Sequence, residues 1–87
     1  MIIAEIGRNH LGVVQSAYSY INVLSKTNID GITFQIREKE YYKQKEKKQY
    51  IWDKTIYKDL SKHVKDYNKQ FGIALADPSL VEFFESI

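Results

Sequence analysis

The sequence predicts an α/β fold: the leading three βα units of a TIM-type (β/α)8 barrel, one domain spanning residues 1–87 and not completed within them. Three observations lead there. Short apolar runs alternate with stretches whose apolar residues recur at helical spacing, and strand-helix order repeated three times implies parallel pairing through right-handed crossovers. The first apolar run, Met1 to Ile6, carries an acid, an amide and an imidazole at its carboxyl end, where α/β proteins line their crevices with polar side chains. Three parallel strands alone leave two open edges and an uncovered face, whereas parallel sheets are covered on both faces or closed. The chain also reaches Ile87 within a helical pattern that has no glycine cap or polar tail, so the expectation is the opening segment of a larger barrel.

Each element follows from its residues. Met1 to Ile6 reads as a buried strand, and Gly7 and Gly12 bracket the polar group Arg8-Asn9-His10, allowing the loop to turn without steric penalty. Val14, Ala17, Ile21 and Leu24, with Tyr18 alongside, predict an amphipathic helix over about 13–26. Thr27, Asn28 and Asp30 break it. The second strand, Gly31 to Ile36, alternates: Ile32, Phe34 and Ile36 face one side, and Thr33, Gln35 and the following Arg37 the other. Ile56, Leu60, Val64, Tyr67 and Phe71 mark a helix over about 55–70, Gly72 to Ala76 forms a third strand ended by Asp77-Pro78, and Val81, Phe83 and Phe84 mark a last helix over 79–87.

Composition narrows the function classes. Without cysteine there is neither a disulfide framework nor a thiolate metal site. No apolar run approaches the roughly 20 residues of a membrane span, and the start lacks a basic leader with a cleavage pattern, so the expected address is cytoplasmic and no membrane partner is expected. A net charge of +2 does not by itself imply nucleic acid. The stretch Arg37 to Lys48 holds six cations and three acids and is interleaved with Tyr41 and Tyr42, with Tyr50 and Trp52 beyond. Cations with stacking aromatics can bind single strands. The preferred reading is instead a long loop after the second strand, lying at the active-site face as a lid, with Ile51 and Trp52 anchoring its far end onto the helix that follows. No phosphate-cradling glycine loop, nucleophile elbow or zinc spacing occurs.

The run Ile2-Ile3-Ala4-Glu5-Ile6-Gly7-Arg8-Asn9-His10-Leu11-Gly12 resembles the first strand and loop of the sialic acid synthase family, whose pattern is A-E-I-G-x-N-H-x-G. Asp30 to Gln35 is similar to that family's second-strand motif ending K-F-Q, and Phe71 to Pro78 to its third strand ending S-T-P. The resemblance implies the first third of a catalytic barrel that condenses phosphoenolpyruvate with an N-acetylated amino sugar to a nine-carbon acid sugar. It further implies a divalent metal, manganese or magnesium, with ligands outside this chain. The partners implied are these two small molecules and either the rest of the barrel or a second copy.

Carried over by position, Glu5 matches the family's glutamate near the sugar and Gln35 its amide to a sugar hydroxyl, while Asn9 and His10 match the motif as loop-shaping residues. No catalytic residue and no metal ligand is assigned, and the chain alone is expected to be inactive. Two positions depart. Thr33 stands where the family has a lysine facing phosphoenolpyruvate, and Asp77 where it has a threonine beside the phosphate, changes that delete a cation and add an anion. Arg37, on the Thr33 and Gln35 side by alternation, and Arg8 in the neighbouring loop could supply a guanidinium instead, or both could simply be solvated. His10 is expected to be a hydrogen-bonded loop histidine, and His63 an exposed helical one. A non-catalytic binding or interaction module that has lost phosphoenolpyruvate binding is the alternative, favoured by Thr33 and Asp77.

Overall fold

A computed structural model describes all 87 residues. Strand β1 (Ile3–Gly7) leads through helix α1 (Val14–Leu24) to β2 (Gly31–Ile36). A short helix α2 (Lys39–Tyr42) and a 3-10 turn (Lys45–Tyr50) precede α3 (Lys54–Asp66), and β3 (Gln70–Leu75), a 3-10 turn (Pro78–Leu80) and α4 (Val81–Glu85) follow. The three strands form one parallel sheet in the order β1-β2-β3. This small α/β architecture agrees with the strand-helix order of the sequence.

Alternation on the central strand divides the sheet into two unlike faces. Ile32, Phe34 and Ile36 are fully buried and share one apolar core with Ile6, Ala17 and Ile21 on one side and Tyr57, Leu60 and Val64 on the other, so α1 and α3 cover the same face. Burying each such side chain contributes about 1.5–3 kcal/mol, which makes this face the source of most of the fold's stability. Along the opposite face run Glu5, Thr33 and Gly72 in one cross-strand row, and Gln35 beside Ala74 in the next. No helix lies over them. A methyl group at Gly72 would come within 3.0 Å of the Thr33 methyl, so glycine there lets β2 and β3 close up beneath the polar row.

The end of α3 departs from the sequence-based expectation. Tyr67 and Phe71 continue the apolar spacing, yet the helix stops at Asp66, and Phe71 lies in β3 facing Phe34 with ring centroids 6.0 Å apart. Asn68 adopts the left-handed conformation (φ 61°), while Lys69 N donates to Val64 O and Asn68 N to Lys65 O, the paired closure of a Schellman motif. Lys69 then fixes the exit by donating through Nζ to Thr27 O and Ile29 O. Asparagine tolerates this backbone as few non-glycine residues do, and it outweighs apolar periodicity. At the other end Asp53 caps the helix, accepting from Thr55 N at 3.3 Å.

His63 is half-buried between helices rather than exposed. Its Nε2 lies 2.8 Å from Asn22 Oδ1, which also accepts from the Tyr67 hydroxyl at 2.9 Å, and its ring sits between Tyr18 and Tyr67. The segment expected as one long loop contains α2 and the 3-10 turn, both built from its own short-range hydrogen bonds. No helix is long and apolar enough to cross a membrane.

Candidate functional site

Two structures meet at the carboxyl end of the sheet: the loop after β1, and the segment between β2 and α3 folded against it. The loop is a chain of tight turns, with Asn9 N donating to Ile6 O, Leu11 N to Arg8 O and Val13 N to His10 O. Gly7, Leu11 and Gly12 all adopt positive φ, 57°, 56° and 81°. Gly12 is obligatory for a second reason, because a Cβ there would lie 2.5 Å from the carbonyl oxygen of Gln49. Trp52 completes the junction by donating its Nε1 proton to Gly12 O at 3.1 Å.

His10 is the centre of this junction and is 2% exposed. Its Nδ1 accepts a hydrogen bond from Gly12 N at 2.9 Å, which leaves any ring proton on Nε2, and the Trp52 ring lies 4.1 Å away. Burial lowers its pKa by disfavouring the charged imidazolium. The structure therefore makes His10 a hydrogen-bonded loop histidine. Asn9 has a similar local duty, donating through Nδ2 to Ile6 O at 2.9 Å. Trp52 anchors the segment chiefly to the β1–α1 loop, and it also meets α3 through Tyr57 at 5.6 Å.

On the open face of the sheet, Thr33 donates its hydroxyl proton to Glu5 Oε2 at 2.6 Å. The carboxylate is thereby oriented by a neighbour on the adjacent strand, with acceptor capacity left over. Gln35 lies two residues further along the same face, about 6–7 Å away at strand spacing, and its carboxamide has no hydrogen-bond partner in the protein. These three residues, from two adjacent cross-strand rows, form one polar strip, hereafter the polar row, directed away from the core. An acid with spare lone pairs beside an amide with free donors and acceptor matches a polyol or amide ligand, since such groups gain most when the ligand supplies the missing partners.

Arg37 does not join that row. β2 ends at Ile36, and the Arg37 guanidinium is taken up by Glu38 at 3.3 Å and by the ring of Tyr41, whose centroid is 4.6 Å from Cζ. Its backbone N–H donates to the Tyr42 hydroxyl at 2.8 Å. Arg8 reaches the same place from the β1 loop, 5.2 Å from the Tyr41 ring and 5.5 Å from that of Tyr50. Both arginines are thus held, but against aromatic rings and not beside Thr33. Asp77 is almost fully buried and caps the last 3-10 turn, with Oδ1 accepting from Ser79 Oγ at 2.6 Å and from Ser79 N at 3.0 Å. The hydroxyl of Ser79 is the main reason its carboxyl titrates below the usual range. The convergence of Arg8, Arg37 and Tyr41 was not readable from spacing along the chain, since it depends on two strand ends being neighbours. No group of three or more His, Asp or Glu side chains is placed to hold a metal ion.

Among solved structures, the chain is similar to an N-acetylneuraminic acid (sialic acid) synthetase from Leptospira borgpetersenii serovar Hardjo-bovis, crystallised in complex with citrate. The TM-score is 0.84 and the identity 22%, covering 98% of this chain and 32% of that one. No protein-family model matches, and neither does any curated protein sequence. The chain matches a fragment of the synthetase fold and spans about a third of its length.

Proposed function

We propose that these residues are the opening part of a sialic acid synthase-like barrel, a carbon-carbon bond-forming transferase, and that their open polar face binds the N-acetylated amino sugar condensed with phosphoenolpyruvate. The observation that carries this reading is the row Glu5, Thr33 and Gln35, with Glu5 oriented by Thr33 and Gln35 left without a partner. Similarity to the synthetase fold over nearly the whole chain supports it. Glu5 would accept from a sugar hydroxyl and Gln35 would bond a second polar group of the sugar. Remaining strands of the barrel would supply the residues that perform the chemistry and hold any metal.

A second reading, a binding module that has lost phosphoenolpyruvate, draws on two placements. Thr33 is turned to Glu5 and no cation stands in the polar row, while Asp77 is engaged as a cap. Calorimetric titration of the complete protein with N-acetylated hexosamines separates the two. The synthase reading expects saturable binding, weakened about threefold to tenfold by Gln35→Ala and about tenfold to a hundredfold by Glu5→Gln, the spans for a neutral and a charge-assisted hydrogen bond. It also expects condensation with phosphoenolpyruvate to be detectable. Sugar binding that Gln35→Ala leaves untouched would remove the sugar assignment, and sugar binding without condensation would establish the second reading.

A further inference from the structure

We propose that Arg8, Arg37 and Lys47, gathered around the rings of Tyr41 and Tyr50, form a binding site for a doubly charged oxyanion of the phosphate type. The cluster draws on three separate segments: the loop after β1, the end of β2, and the 3-10 turn. Lys47 Nζ lies 5.8 Å from each of the two ring centroids, Arg8 Cζ 5.2 and 5.5 Å from them, and Arg37 Cζ 4.6 Å from that of Tyr41. Three cations thus lie within 5.8 Å of the centre of one tyrosine ring. Glu38 is the one carboxylate paired with them, through Arg37.

Two features separate this cluster from an ordinary solvated surface. Arg37 and Lys47 are half-buried, whereas Lys39, Lys43, Lys45 and Lys48 of the same segment are exposed. The Tyr41 hydroxyl is buried without any hydrogen-bond partner, an O–H withdrawn from water with nothing in return. Like charges held together beside an unsatisfied donor are stabilised by an anion with several acceptor oxygens, and guanidinium groups meet phosphate oxygens in pairs. Against one acid, three cations balance a dianion better than a single carboxylate. The cations already occupy the surroundings of the tyrosine rings, which argues for a small anion and against stacked bases.

The site uses neither Glu5 nor Gln35, so its fate is independent of the sugar reading. Its test is calorimetric titration of the complete protein with inorganic phosphate at low ionic strength, alongside Arg8→Gln, Lys47→Gln and, as a control on the exposed side of α3, Lys58→Gln. Saturable one-to-one binding is expected. It should be weakened about tenfold or more by each of the first two substitutions, the effect of one charge-assisted hydrogen bond, and unchanged by the third. Arg8→Lys and Lys47→Arg, which keep the charge, should retain most of the affinity and guard against loss through misfolding, with the circular dichroism spectrum as a check. A simple phosphate monoester distinguishes the two sources of the group: tighter binding than inorganic phosphate assigns an ester, weaker binding the free ion, and either supports the site. Absence of saturable binding, equal weakening by Lys58→Gln, or preferential multi-site binding of an oligonucleotide would overturn it.

Discussion

At the scale of single residues, His10 sets a pH dependence whose direction follows from its burial. Its folded-state pKa lies below the ordinary value of 6.5 because burial disfavours the imidazolium. The unfolded chain therefore binds a proton more readily, and stability present above pH 6.5 should decline as the pH falls from there toward the folded-state value. Asp77, lowered chiefly by the Ser79 hydroxyl, adds a second decline below its ordinary 3.8. Urea midpoints measured between pH 7.5 and 3 should show both, and His10→Phe should flatten the upper one. Leu11 gives an independent test: an exposed leucine at φ 56° is strained by about 1 kcal/mol, so Leu11→Gly should raise stability by a few tenths to about 1 kcal/mol in the same assay. Alternation along β2 made the facing of Thr33 and Gln35 legible in the sequence. It did not reveal the Thr33 bond to Glu5, because strand register is set by packing across 28 residues, nor the capping role of Asp77, which depends on the turn that Ser79 closes.

At the scale of elements, the junction between the β1 loop and the 3-10 turn relies on contacts that tolerate little change. Gly12→Ala would drive a methyl group into Gln49 O and add backbone strain, and should cost about 2–4 kcal/mol, read from denaturation midpoints. Trp52→Phe keeps an aromatic ring beside His10 but leaves Gly12 O without its donor, and should cost about 1–3 kcal/mol while increasing amide exchange across residues 45–50. Strands and helices were readable wherever apolar period and chain breakers agreed, as they do for α1 and β2. They failed at the end of α3, where one asparagine turns the chain while Tyr67 and Phe71 continue the helical spacing. The anchoring role of Trp52 could be foreseen from its position, whereas its principal partner could not, since Gly12 lies 40 residues away.

At the scale of the whole molecule, β1 and β3 are both edge strands, and one face of the sheet has no covering layer. Ile2 and Ile3 are 58% and 43% exposed beside that face. The isolated chain should therefore self-associate or melt with low cooperativity, because unpaired strand edges template pairing with a second copy. Sedimentation combined with a thermal scan checks this, and a monodisperse monomer melting cooperatively above about 60 °C would refute it. The strand-helix order was legible in the sequence because parallel pairing demands crossovers. The chain's single tryptophan lies against a buried imidazole 4.1 Å away and is hydrogen-bonded to the loop that carries it. The molecule thus carries its own optical reporter: indole emission should shift to the red and change in intensity when the junction opens, following acid titration of His10 and release of the 3-10 turn in a single unlabelled sample.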